Sequence, residues 1–219
     1  MIEFRLFRIP ISIHWTFFLL TAFLGGALYA QAADDWFRVL LFMLAAIHSV
    51  LIHELGHALA GIKVGASQAV IQLHGMGGTA SFPQQQFNRG KSILVTAAGP
   101  AASILLALLF LGISESSSGW LDLESRAGYF IGYFISVMVF INIFWSIINL
   151  MPILPLDGGQ ILRTVLGPRH LKLTCIIGFI TLVILAILLW IYTRSLFNMV
   201  LMLILGSYTW RVWQQERQS

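Results

Sequence analysis

Two histidines and a glutamate within one apolar stretch form the clearest chemical pattern in this chain. Residues 51–58 read LIHELGHA, so that His53, Glu54 and His57 follow the spacing H-E-x-x-H. Residues four apart share a face of a helix, so both imidazoles can reach one metal ion with Glu54 beside it. Zinc held by three protein ligands keeps a fourth position open for water. A carboxylate next to that water can take its proton and later deliver it to a leaving amine.

The surroundings of this pattern add to its specificity. Residues 36–62 are mostly apolar, and histidine and glutamate are unfavourable in such a helix unless they coordinate or pair with something. A packed polar cluster without metal is the alternative interpretation. His48 lies five residues before His53 and off the ligand face, so we predict a packing contact for it.

Asp157 is the candidate for a third ligand. It lies in residues 149–159, which read NLMPILPLDGG. The two prolines prevent a regular helix, and the two glycines allow the backbone to turn sharply and approach other groups closely. Broken backbone at membrane depth is tolerated only against protein or a watery cavity. The alternative is an interfacial loop in which Asp157 caps a helix that starts near Gly159.

The composition predicts a membrane protein. Of the 219 residues, 58% are hydrophobic and 10% are charged, against about 25% charged residues in a soluble domain. The formal net charge of +4 comes from basic residues in short connections, where they set orientation, so we predict a lipid bilayer and no nucleic acid as partner. Cys175 is the single cysteine, which excludes an internal disulfide and a cysteine-rich zinc site.

Six apolar stretches are long enough to cross about 30 Å of hydrocarbon. They comprise residues 12–31, 36–62, 91–113, 127–150, 172–193 and 195–212. We therefore predict an all-α polytopic membrane protein with about six transmembrane helices, organised as a single domain over residues 1–219. The first stretch also resembles a signal peptide that ends at Ala30-Gln31-Ala32. Its length favours a retained span, although processing within residues 1–32 stays an alternative.

The lysines and arginines predict the orientation of these spans. On one side lie Arg5, Arg8, Lys63, Arg89, Lys91, Arg163, Arg169, Lys172, Arg211 and Arg217, and on the other lie Arg38, Arg126 and Arg194. By the positive-inside rule, both termini are predicted to be cytoplasmic, in a multi-pass protein of the cell membrane. His53 lies 17 residues after Trp36, or about 25 Å along the helix. The metal is therefore predicted inside the bilayer, nearer the cytoplasmic face.

Taken together, the two motifs resemble the site-2 protease family of intramembrane zinc metalloproteases. Residues 53–57 are similar to the helical motif of that family, and residues 149–159 to its second signature, an asparagine followed by spaced prolines and Leu-Asp-Gly. Residues 75–80 and 98–102 add weaker similarities. Paired motifs in this order are far more specific than either one alone. The chain resembles the compact six-span branch, without a PDZ or CBS domain.

The resemblance implies the roles of individual residues. It implies that His53, His57 and Asp157 bind one zinc ion per chain and that Glu54 is catalytic. It implies substrate or oxyanion contacts for Asn149, Gly77 and Gly78. Residues 70–82 begin with strand-like alternation, and the resemblance implies a short membrane-associated β-hairpin there; an ordinary cytoplasmic loop is the alternative.

The function that follows is zinc-dependent hydrolysis of peptide bonds within or near transmembrane segments of membrane-anchored protein substrates, in regulated intramembrane proteolysis. A multispan zinc protease acting on soluble tails, of the CAAX type, is a rival; it would want a further Glu or His on a later helix. A metal carrier is a second rival, and it would need polar residues along a path through other spans. The sequence predicts neither a physiological substrate nor an oligomeric state.

Overall fold

The structure, a computed structural model, describes residues 1–117, 119, 121–194 and 196–218. The helices within these residues are α1 (Trp15–Leu24), α2 (Ala33–Lys63), α3 (Arg89–Ser117), α4 (Arg126–Asn149), α5 (Asp157–Leu166), α6 (Leu171–Thr193) and α7 (Leu196–Gln218). The strands are β1 (Ile2–Leu6), β2 (Ile9–Ile13), β3 (Val70–His74) and β4 (Gly77–Ser81). Short 3-10 turns occupy Ala27–Tyr29 and Pro168–His170.

Four helical segments among the described residues are long and apolar enough to cross a membrane. They are α2, α3, α4 and the segment Pro168–Thr193, which contains α6. This confirms the predicted class, a mostly helical polytopic membrane protein. The predicted sixth stretch overlaps α7, although its first residue, Ser195, lies outside the described residues.

The first predicted span differs from the structure in length. Residues 12–31 contain a helix of only 10 residues, α1, which is about 15 Å long and too short to cross the hydrocarbon core alone. The stretch begins inside β2. After α1, Gly26 adopts a φ of 90°, a conformation that glycine tolerates and other residues rarely adopt, and a 3-10 turn follows at Ala27–Tyr29.

A four-stranded sheet in the order β1-β2-β3-β4 lies in the first part of the chain. β3 and β4 pair antiparallel, with Leu73 opposite Gly78, which confirms the hairpin predicted near residues 70–82. The sequence prediction did not include β1 and β2; β2 pairs parallel to β3. One face is buried because apolar residues alternate along the strands. Its buried residues are Ile9, Ile11, Ile13, Ile71 and Leu73.

Residues 1–86 and 98–146 form one compact unit. Its main core joins the buried face of the sheet to Phe17 of α1 and to Val50 and Leu55 of α2. A second apolar cluster packs Ala45 and Ala46 of α2 against α4. Such close packing of small residues is usual where membrane helices approach each other.

Residues 87–97 and the chain from residue 147 onward form the other unit. Ile153, Leu182, Met202 and Leu205 form its apolar core, so α6 and α7 pack around the segment that precedes α5. Within it, the Thr209 hydroxyl donates a hydrogen bond of 2.9 Å to the carbonyl of Leu154. Leu154 lies between α4 and α5, so its carbonyl has no helical N–H donor, and the Thr209 hydroxyl supplies the hydrogen bond instead.

Candidate metal centre

The side chains of His53 and His57 converge on one face of α2. They are 2% and 8% exposed, and their Nε2 atoms lie 3.2 Å apart. The rings are nearly perpendicular, with centroids 4.9 Å apart. Zinc–nitrogen bonds of about 2.0–2.1 Å in a tetrahedral arrangement separate two nitrogen ligands by about 3.3 Å. The spacing of the two imidazoles therefore fits a shared zinc ion.

Helix α3 supports both imidazoles through residues one turn apart. The Oγ of Ser103 lies 3.0 Å from Nδ1 of His53. A Cβ atom on Gly99 would overlap the imidazole of His57. A Cβ on Gly56 would come within 2.5 Å of the carbonyl oxygen of Ala98. Glycine at these positions lets α2 and α3 approach closely enough for α3 to contact both imidazole rings.

Replacing Gly99 by Val is expected to weaken metal binding. The added side chain would occupy the position of the His57 ring, so one imidazole must leave its convergent position. Titration of the purified variant with zinc should show a lower affinity than the wild type. Gly112→Val is the matched control, because nothing lies within 4 Å of a Cβ on Gly112. Wild-type zinc affinity in the Gly99 variant would contradict the proposal that α3 holds the His57 ring in position.

The β-hairpin contacts the glutamate of the motif. Glu54 is 4% exposed, and a Cβ on Gly78 would lie 2.6 Å from its Oε1 atom. Gly77 has a φ of 114°, and a Cβ there would lie 3.1 Å from the Trp145 ring. The structure therefore places Gly78 against the Glu54 carboxylate and Gly77 against Trp145.

Asp157 is the first residue of α5 and is 7% exposed. The N-cap position of α5 belongs to Leu156, without a side-chain cap. The preceding segment folds back on the helix start, because a Cβ on Gly158 or Gly159 would overlap the backbone of Leu150 or Ile153. This close approach needs glycine and fixes where α5 begins.

Two imidazoles and one carboxylate are a ligand set typical of a catalytic zinc site. His53 and His57 form a candidate metal centre, and Asp157 remains the predicted third ligand. Asn149, the last residue of α4, is 9% exposed. His48 is exposed, and its Nδ1 lies 2.7 Å from the carbonyl oxygen of Leu44, one turn earlier in α2.

Two side chains around the centre were not identified from the sequence. Ser103 follows the stretch 98–102 but belongs to no metal-binding pattern, and its contact with His53 arises only from the packing of α3 on α2. In the sequence, Trp145 is one of many aromatic residues in an apolar helix, and no periodicity predicts its contact with Gly77.

Comparison with known proteins gives consistent matches. Residues 27–156 match the family model described as Peptidase M50B-like, and residues 123–191 match Peptidase family M50. A zinc metalloprotease of Methanocaldococcus jannaschii is 30% identical over 167 residues, which cover 76% of this chain and 45% of the relative. A relative from Mycolicibacterium smegmatis, also named as a zinc metalloprotease, is 30% identical over 180 residues, covering 66% of this chain and 67% of the relative.

A solved structure shares the fold. The site-2 protease from Methanocaldococcus jannaschii has a TM-score of 0.68 and 24% sequence identity, and the match covers 96% of this chain and 94% of that one. This chain spans less than half the length of two curated relatives that it matches, 45% for the first and 42% for one from Synechocystis. The family model that matches residues 27–156 covers more than half of the chain. This chain belongs to peptidase family M50.

Proposed function

We propose that this protein is a zinc-dependent intramembrane endopeptidase that hydrolyses peptide bonds within or near transmembrane segments of membrane-anchored proteins. The observation that carries the proposal is the convergence of His53 and His57 beside the buried Glu54 on an apolar helix. We include Asp157 as the third ligand of one zinc ion, because two imidazoles and one carboxylate are typical of a catalytic zinc site. We place the reaction in regulated intramembrane proteolysis, with a transmembrane protein as substrate.

The chemistry divides between the metal and Glu54. When bound, zinc polarises the scissile carbonyl and lowers the pKa of a coordinated water. Glu54 acts as the general base that takes a proton from the attacking water, and then as the general acid that returns it to the leaving amine. Burial at 4% exposure shields this proton transfer from bulk water. Contact with Gly78 restricts the positions that the Glu54 carboxylate can adopt.

The substrate must reach this site in an extended conformation, because a helical segment keeps its amides internally bonded. β4 is a terminal strand of the sheet, so its outer edge can pair with an added strand. We assign Gly77 and Gly78 to the substrate path for this reason, and Asn149 to orienting the substrate or stabilising the oxyanion. Substrates with Gly, Pro or Asn near the cut should unwind more easily and be preferred.

Replacing Gly78 by Ala is expected to reduce cleavage while leaving zinc bound. The new Cβ would lie 2.6 Å from Glu54 Oε1, so the carboxylate must rotate away, whereas the imidazoles keep their own contacts with α3. Activity should fall by about 10-fold or more, a loss within the contribution of general acid–base catalysis. Cleavage rate and zinc content measured on one preparation check this. Undiminished cleavage would argue against the proposed geometry.

We further propose that the site lies inside the bilayer, nearer the cytoplasmic face, and that both termini are cytoplasmic. The support is the distribution of basic residues and the place of His53 towards the end of α2. The test uses a reporter enzyme that is active only in the cytoplasm. Fused after residue 219, it should show activity. A reporter inserted after Glu124 should be inactive. The opposite pattern would overturn the orientation.

A reconstitution experiment tests the proposed function. The purified full chain is mixed in detergent or vesicles with a single-span test protein, with and without a zinc chelator. Cleavage within or beside the span, lost on chelation and restored by added zinc, is expected. Cleavage unaffected by the chelator would contradict a metal mechanism. Cleavage confined to a soluble tail would contradict the proposed substrate class.

A further inference from the structure

We propose that Ser103 is a positioning residue for the metal centre: its hydroxyl accepts the hydrogen bond of His53 Nδ1–H and so directs Nε2 of His53 at the ion. The inference rests on the proposed zinc site. It begins from one contact, the distance of 3.0 Å between Ser103 Oγ and His53 Nδ1. Ser103 lies on α3, apart from the two motifs that supply the ligands.

The orientation of the rings assigns the role of each nitrogen of His53. Nε2 faces Nε2 of His57 at 3.2 Å, so Nε2 is the nitrogen on the metal side. A neutral imidazole carries one proton and one lone pair, and a metal at Nε2 leaves the proton on Nδ1. Ser103 Oγ is then the acceptor. Partners of this kind fix the tautomer and ring orientation of metal-binding histidines and raise their basicity.

Burial makes this hydrogen bond consequential. Ser103 is 0% exposed and His53 is 2% exposed, so bulk water cannot replace the hydroxyl group. A buried N–H group without an acceptor is unfavourable. Loss of the hydroxyl would therefore favour ring orientations or tautomers that do not present Nε2 to the ion.

The backbone of α3 explains why the hydroxyl reaches His53. Gly99, one turn before Ser103, lies against the imidazole of His57. A Cβ on Gly56 would lie 2.8 Å from Cβ of Ala102. These approaches fix the spacing of the two helices, and at that spacing a short side chain such as serine spans the gap to Nδ1. The same face of α3 thus contacts both imidazole ligands.

The test compares zinc affinity of the full chain, Ser103→Ala and Ser146→Ala by competition with a chromophoric chelator. Ser146 is a matched control, because it is also buried, at 3% exposure, and its hydroxyl donates a hydrogen bond of 2.7 Å to the carbonyl of Asn142 rather than contacting a histidine. Ser103→Ala should bind zinc about 10–100-fold more weakly, and Ser146→Ala should keep the wild-type affinity. Thermal unfolding of the metal-free proteins should be the same for both variants.

A measurement on the wild type keeps the inference testable if Ser103→Ala does not fold. Nitrogen NMR of the zinc-loaded protein labelled in histidine should show metal at Nε2 and a proton at Nδ1 of His53. Metal at Nδ1 would overturn the inference. So would unchanged affinity of Ser103→Ala, or equal losses in both serine variants. A wild-type chain without zinc affinity would overturn the proposed function together with the inference.

Discussion

Replacing Glu54 by Gln is expected to abolish cleavage of a single-span substrate while the chain keeps its zinc. Glutamine has nearly the same shape as glutamate but cannot accept a proton, so the general base of the proposed mechanism is lost. General acid–base catalysis contributes about 10²–10⁴-fold, and kcat/KM should fall by at least this factor. The ligands His53 and His57 are untouched, and metal content should match the wild type.

The control for this variant is Glu124→Gln. Glu124 is exposed and lies before α4. Its replacement by Gln removes one negative charge, as Glu54→Gln does, but at a residue outside the candidate metal centre. It should cleave at the wild-type rate. Cleavage by Glu54→Gln at the wild-type rate would refute the acid–base role. Loss of zinc from that variant would mean that Glu54 holds the ion and is not chiefly a proton carrier.

Replacing Asp157 by Ala is expected to remove most of the zinc and, with it, the activity. The change takes away one of three proposed ligands. Zinc sites bind with about 10–16 kcal/mol, and losing roughly a third of that lowers affinity by about 10²–10⁴-fold. Metal content after dialysis and the zinc dissociation constant measure the effect.

Asp122→Ala serves as the control for this second variant, because Asp122 is an exposed carboxylate before α4. It should retain zinc and cleave normally. The two predictions separate the roles of the carboxylates, since Glu54→Gln keeps the ion without activity and Asp157→Ala loses both. Full zinc content in Asp157→Ala would show that the third ligand lies elsewhere.

The helical motif could be predicted from the sequence because its information is local. The four-residue spacing of His53 and His57 depends only on helix geometry, and the apolar residues around them predict a buried helix. The prediction that Asp157 joins these histidines is different. Nothing local links residues 100 positions apart, 57 and 157, so the prediction rests on the broken backbone around Asp157 and on the resemblance of both motifs to one family.

The N-terminal strands show where sequence patterns become ambiguous. Ile9, Ile11 and Ile13 alternate with Pro10 and Ser12, which is a strand pattern. This strand pattern is short and continues directly into the apolar residues of α1, so β2 and α1 together look like one apolar stretch long enough to span a membrane. In the structure, β2 is a strand because it pairs in parallel with β3, a long-range contact that the local sequence does not reveal. Ser103 is a similar case, because its role depends on the packing of α3.

We propose that two imidazoles and one carboxylate hold a single zinc ion beside Glu54, and X-ray absorption at the zinc edge of the purified chain tests this coordination. We expect one zinc per chain with two imidazole nitrogens at about 2.0–2.1 Å and carboxylate oxygen at about 2.0–2.2 Å. Protein that holds no zinc, or a zinc ion without two imidazoles, would contradict it.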